Sequence, residues 1–149
     1  MKHPAPDIAA LPAEDSKRFV AVLNKKVEIP QLMNALGHMA AGTASLVGAE
    51  DLCFLNYPDK EAGEHFGASH FPFIVLKAEN SNQIRTVRAE AMRRGIPFNE
   101  FTRGMVLGTE GALDAMRESS EADLDYFGIC LFGGTEELRE FTGKFSLFR

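Results

Sequence analysis

Short unbroken apolar runs alternate along the chain with longer segments whose apolar residues recur every three or four places. The first run, Phe19-Val20-Ala21-Val22-Leu23, is too short for a helix and rich in β-formers, as a strand buried on both faces would be. A polar turn, Asn24-Lys25-Lys26, follows. Pro30 sits where a first helical residue belongs, since its missing N–H would be unpaired there in any case. From Gln31 to about Val47 only two glycines interrupt a helical pattern. Leu32, Met33, Leu36, Met39 and Leu46 are predicted to form its apolar face, while Gln31, Asn34, His38 and Gly42 fall at helical steps and line up on another. Gly37, Ala40, Ala41, Gly42 and Ala44 are small, which lets the helix lie close against a sheet or leaves room for a ligand.

Farther along, Leu52 to Tyr57 reads as a short strand at a sheet edge, Pro58 to Gly63 as a turn, and Glu64 to His70 as a polar loop. Phe71 to Ala78 is the next strong strand. Asn80 or Ser81 caps a helix from about Asn82 to Arg94, with Ile84, Val87 and Ala91 inward and Arg85, Arg88, Glu90, Arg93 and Arg94 left for solvent. Gly95 ends it and Pro97 prevents its return. Ile96 to Thr102 is a third strand, so strand–helix–strand occurs twice in succession, which argues for parallel pairing in an α/β fold. Thr109 caps a short helix through Met116, Glu118 to Asp123 is an acidic loop, and Tyr126 to Phe132 is a fourth strand. Gly133-Gly134-Thr135 turns into a short helix, and the chain closes in a strand-like tail.

The totals narrow the function classes. A chain of 149 residues with 45% apolar and 25% charged residues suits one soluble domain, taken as residues 17–149 behind a proline-rich N-terminal arm at 1–16. A net charge of −5 argues against broad attraction to nucleic acid. No apolar run approaches the ~20 residues that span a bilayer, and the N-terminus lacks an apolar leader, so no membrane partner and a cytoplasmic location are expected. Cys53 and Cys130 sit in apolar runs without metal-type spacing and read as buried hydrophobes.

His38 is the first candidate for chemistry: a general base or ligand contact in a cleft with Gln31, Asn34 and Gly42, or else a helix histidine bonded to a neighbouring loop. Open α/β sheets bind ligands at the carboxyl ends of their strands, which brings in Asn24 and Lys25 after the first strand and Thr102 after the third. Lys25 and Lys26 are either phosphate-facing or ordinary solvated turn residues. The arginines of the second helix are an RNA face or simply its wet side. His65 and His70, near Asp59, Glu61 and Glu64, carry metal-ligand chemistry without a recognised spacing; their segment is also a candidate lid over the His38 cleft. No metal and no cofactor are expected. Gly133-Gly134 offers backbone N–H groups to an anion, or merely a tight turn.

A first strand beginning at Lys17, a helix carrying His38 followed by small residues, and the ending Phe141-Thr142-Gly143-Lys144-Phe145 together resemble the type II peptidyl-tRNA hydrolases. The run Phe71 to Ala78 looks still more like an uncharacterised bacterial sister family of that superfamily. The resemblance spans Lys17 to Phe148 and implies a three-layer α/β/α sandwich around a four-stranded, mostly parallel mixed sheet. It carries over His38 and Lys17 as site residues. Where those hydrolases have a Gly-Lys at the start of the first helix and a Gln four residues after the Lys, this chain has Pro30, Gln31 and Ala35. Their Asp and Thr after the third strand are missing from Thr102-Arg103-Gly104-Met105-Val106. The expectation is therefore a binding module with an altered site that takes a small polar ligand. The alternatives are a hydrolase of an ester or amide, peptidyl-tRNA-like, with His38 as base and Gln31 or Asn34 as oxyanion donors, and an RNA-associated protein. Compatible partners are a small-molecule or tRNA-like substrate and a second copy of the chain in a homodimer.

Overall fold

The computed structural model describes residues 6–149, so the first five residues of the N-terminal arm lie outside the described residues. The apolar run at the start becomes β1 (Lys17–Asn24), and α1 (Ile29–Val47) follows, with Pro30 in its first turn. A one-turn α2 (Ala49–Leu52) leads into β2 (Phe54–Pro58) and β3 (Glu64–Ser69). Next come β4 (Phe73–Ala78), α3 (Ser81–Arg94), β5 (Phe98–Thr102), α4 (Gly108–Arg117), β6 (Tyr126–Gly134), α5 (Thr135–Thr142) and the two-residue β7 (Ser146–Leu147). At the start of α3, Asn80 Oδ1 accepts from Gln83 N at 3.1 Å; at its end Gly95 adopts φ 67°, where a side chain would be strained.

Among the described residues the main sheet has five strands rather than four, in the order β5-β6-β1-β4-β7, and only β1 and β4 pair in parallel. The expected run of parallel neighbours fails because β6 inserts antiparallel between β1 and β5, and the C-terminal tail adds β7 antiparallel to β4. β2 does not join the edge of this sheet. It pairs with β3 in a separate hairpin, so Glu64–Ser69 is a strand and not a loop or lid. Asp59 builds the hairpin turn, accepting from Gly63 N at 2.8 Å and Glu61 N at 3.0 Å.

Two apolar clusters lie on the two faces of the main sheet. Phe19, Ala21 and Leu23 of β1 meet Leu32, Ala35 and Met39 of α1; Val20 and Val22 meet Ile84, Val87 and Ala91 of α3 and Leu138 of α5. Because successive strand residues point to opposite faces, α1 and α3 leave β1 and β4 toward opposite sides. A β-bulge interrupts β6, where Phe101 pairs with Gly128 but Thr102 pairs with Tyr126. The extra residue, Phe127, stays on the α1 side while Tyr126 faces the α3 side.

The inward face of α1 is rotated from the predicted one. Leu32, Ala35, Met39 and Thr43 are buried, whereas Met33 and Leu46 are exposed. Thr43 Oγ1 donates to the Cys130 carbonyl of β6 at 3.0 Å, which lets a hydroxyl serve as a core residue. At Gly42 an added Cβ would lie 2.6 Å from the Asn99 side chain of β5, so this small residue serves close packing rather than a ligand.

Candidate functional site

The register of β1 on β4 sets Asn24 beside Ala78, so the two parallel strands end level with one another. Their following helices depart to opposite faces, and that divergence opens a crevice at the strand tips, the position where open α/β sheets hold ligands. A polar cleft of about 410 Å³ occupies it. Asn24 and Lys26 line it from the β1 side, Asn80, Ser81 and Asn82 from the start of α3, and Arg103 and Asp125 from the ends of β5 and β6.

Each wall is held by its own contacts. The Asn24 carboxamide is buried; Nδ2 donates to the Tyr126 carbonyl at 3.0 Å and Oδ1 accepts from Lys26 N at 3.0 Å, fixing the turn that presents Lys26. Ser81 Oγ donates to Asp125 Oδ1 at 3.1 Å and accepts from Tyr126 N at 3.0 Å. The other oxygen of Asp125 takes Arg103 Nε at 2.7 Å, while the Arg103 guanidinium lies 4.9 Å from the centre of the Phe127 ring. Arg103 and Asp125 also line a neighbouring cavity of about 280 Å³, bounded by Thr102, Gly104 and Met116 among others, and so form the partition between the two. Lys26 makes no ion pair among the described residues, unlike Lys25, which is bonded to Glu79. The start of α3, whose first N–H groups have no partner within the helix, borders the cleft with the positive end of its dipole, and Asn80 caps the Gln83 N–H.

The residues singled out from the sequence do not gather in one place. Asn24 is in the cleft; Lys25 is beside it, paired, with its backbone N–H on the Ala78 carbonyl at 3.0 Å. Thr102 ends β5 as expected but is wholly buried, its hydroxyl 3.3 Å from Met116 Sδ. Ser81 supplies the hydroxyl that reaches the cleft instead. Gln31, Asn34 and His38 are exposed on α1, and the His38 ring stacks on Phe101 of β5 with centroids 5.5 Å apart. Their stripe faces the edge strand β5, not the crevice. Lys17 is exposed at the opposite end of β1. His65 sits 3.1 Å from Asp59 and His70 Nε2 is 2.9 Å from the Pro12 carbonyl, so the two rings serve different contacts. Among the described residues no group of three His, Cys, Asp or Glu side chains is placed to hold a metal ion.

The arginines of α3 are already engaged. Arg85 bonds Glu121 at 3.1 Å, Arg88 bonds Glu100 at 2.6 Å, and Arg93 and Arg94 both hold Glu90. These contacts draw the Glu90 carboxyl down to about 2, with the Arg93 hydrogen bond the largest cause and that of Arg94 next. Of the two cysteines, Cys130 is buried and desolvation pushes its thiol up to about 12; Cys53 is half-buried rather than buried, at a left-handed residue with φ 51°. The Gly133-Gly134 segment belongs to β6, and the Thr135 N–H beyond it is spent on the Ser16 carbonyl at 3.1 Å.

Sequence reasoning overlooked Asn80–Asn82 as cleft residues, although the rule that picked out the tip of β1 applies equally to the tip of β4. It missed Arg103 and Asp125 because nothing local shows that β6 begins beside the place where β5 ends. No helix among the described residues is long and apolar enough to cross a membrane. A family described as "Protein of unknown function (DUF2000)" matches residues 17–149. A solved structure of a protein of unknown function from Agrobacterium tumefaciens strain C58 superposes with a TM-score of 0.76 at 15% identity, covering 90% of this chain and 98% of that one. At that identity the likeness shows the fold alone. No curated protein matches.

Proposed function

We propose, for a chain that belongs to the DUF2000 family of proteins of unknown function, that the cleft at the tips of β1 and β4 binds a small polar ligand carrying an anionic group. One observation carries the reading: Lys26, which makes no ion pair among the described residues, and the first turn of α3 converge on a cavity of about 410 Å³ whose other walls are carboxamide, hydroxyl and carboxylate groups with Val27 and the Asp125-bound Arg103. A lysine and a helix N-terminus both favour an anion, and an anion accepting backbone N–H bonds there neutralises the dipole end. Asn80 and Asn82 are suited to orient hydroxyls on the ligand, and Asp125 to accept from a hydroxyl or amine. The volume lies within the range of small-molecule sites.

The likeness to type II peptidyl-tRNA hydrolases is read in the same terms, as a shared three-layer architecture with a changed site. The position matching that family's Gln is Ala35, which is wholly buried on the inward face of α1 and has no group to offer water or an oxyanion. His38 has no carboxylate partner among the described residues and rests its ring on Phe101. These observations favour a binding module over a hydrolase built on His38.

The test is thermal unfolding with inorganic phosphate, ribose 5-phosphate and succinate as probes. At least one is expected to raise the melting temperature in a saturable way, since a ligand at a hundred times its Kd adds about 2.7 kcal/mol to stability. Lys26→Gln is expected to weaken that response about tenfold or more. The absence of any response, or one unchanged in Lys26→Gln and Asn82→Ala, overturns the proposal.

A further inference from the structure

Another cavity lies along β1 and β4 on the α5 side of the sheet, reaching from Arg18 toward β7, and shares no lining residue with this cleft. It holds about 370 Å³, and Val20, Ile74, Leu76 and Phe145 give it an apolar lining. Two guanidinium groups, Arg18 and Arg139, also border it. Arg18 follows directly from the strand pattern: it shares a face of β1 with Val20 and Val22, so the residue that begins an otherwise apolar row is a cation.

The two arginines differ in what they hold. Arg139 is exposed and bonds Glu136 at 2.6 Å. Arg18 makes no ion pair among the described residues; its one hydrogen bond is from Nη2 to the Thr135 carbonyl at 3.5 Å, and its Nε is buried without a partner. The Thr135 hydroxyl beside it is likewise buried and unpartnered. A guanidinium left in this state is unfavourable, because desolvation is not offset by a charged acceptor. Burial and the neighbouring Arg139 both lower the affinity of Arg18 for its proton, with Glu136 opposing them more weakly. Glu137 and Glu140 complete the charges of α5, and Glu140 is bonded to Arg94.

We propose that this cavity binds an amphipathic monocarboxylate, its head on Arg18 and Arg139 and its short alkyl chain against Val20, Ile74, Leu76 and Phe145. Arg18 borders the cavity, its Nη1 makes no hydrogen bond among the described residues and its Nη2 only the long one to Thr135, so the terminal nitrogens remain free for a carboxylate to accept from both in parallel. The lining matches the chain: each methylene removed from water strengthens binding about fourfold, so affinity grows with chain length until the cavity is full. Head and tail requirements are separate here, and neither depends on the cleft at the strand tips.

The experiment is calorimetric titration of the whole chain with sodium octanoate, with octylamine and 1-octanol as matched probes. Saturable binding of octanoate, absent for octylamine and much weaker for octanol, is expected. Arg18→Met keeps the aliphatic stem and removes an unpaired charge, so it is expected to fold at least as well as the native chain while losing about ten- to hundredfold in octanoate affinity. Val20→Ala tests the tail, with butanoate weakened less than octanoate. Equal binding of octanoate and octanol, unchanged octanoate binding in Arg18→Met, or no octanoate binding by the native chain overturns the proposal. Ribose 5-phosphate added at saturation is expected to leave octanoate binding unaltered; competition between them also overturns it.

Discussion

Asn24 is the side chain on which the cleft depends most, and removing it has a calculable cost. The carboxamide is 3% exposed and bridges two backbone groups, the Tyr126 carbonyl and the Lys26 N–H, each at 3.0 Å. In Asn24→Ala the Tyr126 carbonyl, on a wholly buried residue, loses its side-chain donor, which costs about 1–3 kcal/mol. The Lys26 N–H lies in an exposed turn where water replaces part of the bond, so its loss adds only about 0.5–1 kcal/mol. Together these predict a loss of about 1.5–4 kcal/mol. In a domain of this size each kcal/mol moves the melting temperature by roughly 2–4 °C, so a fall of about 10 °C is expected. Urea unfolding followed by circular dichroism measures it directly, and an unchanged slope would show that the native and unfolded states are otherwise comparable. Because the same carboxamide fixes the turn bearing Lys26, affinity for an anionic probe is expected to fall as well, by a factor that Lys26→Gln sets as its upper bound. An Asn24→Ala variant that unfolds at the native midpoint would refute the reasoning, since the bridge would then carry no net energy.

Other outcomes follow from single contacts. Gly128→Ala places a methyl 2.8 Å from Leu23 Cδ2, 2.9 Å from Met39 Cε and 3.0 Å from the Val22 carbonyl; the last cannot move aside, so urea unfolding is expected to show a loss of about 1–3 kcal/mol. The Glu90 carboxyl is held at about 2 against an ordinary 4.5, so the stability it contributes is present above pH 4.5 and is lost as pH falls toward 2. Glu90→Gln is expected to flatten the melting temperature over that window, and an unaltered acid limb would contradict it. With its thiol at about 12 and its side chain buried, Cys130 is expected to resist iodoacetamide in the folded protein while Cys53 reacts; equal rates by mass spectrometry would contradict the burial.

The strands and helices that stand on long apolar runs or clear caps were legible in the sequence. β1, β4, α3 and β6 are where the patterns of Phe19–Leu23, Phe71–Ala78, Asn80–Gly95 and Tyr126–Phe132 place them. Pairing was not legible, because strand order depends on contacts far apart in the chain. Nothing near Tyr126 shows that β6 will slide between β1 and β5, and nothing near Ser146 shows that two residues suffice to extend the sheet. The inward face of α1 was misjudged for a related reason. Met33 and Leu46 look like core residues by type, whereas Thr43 is the one buried, because a carbonyl of β6 waits for its hydroxyl. That small rotation turns the stripe of Gln31, Asn34 and His38 toward β5 and away from the strand tips. Asn24, read from the sequence at the tip of the first strand, lines the crevice, but His38, Gln31, Asn34 and Thr102, expected with it, do not. The other walls of the crevice, Ser81, Arg103 and Asp125, converge from three separate segments.

The proposed ligand site lies at the tips of β1 and β4 and not on the exposed stripe of α1. Chemical-shift mapping of the isotopically labelled chain during titration with ribose 5-phosphate tests this most directly. Perturbed backbone amides are expected at Lys26, Asn80 to Asn82 and Arg103, with little change at Asn34 and His38. Shifts gathered around Gln31, Asn34 and His38, with the strand tips undisturbed, would contradict it.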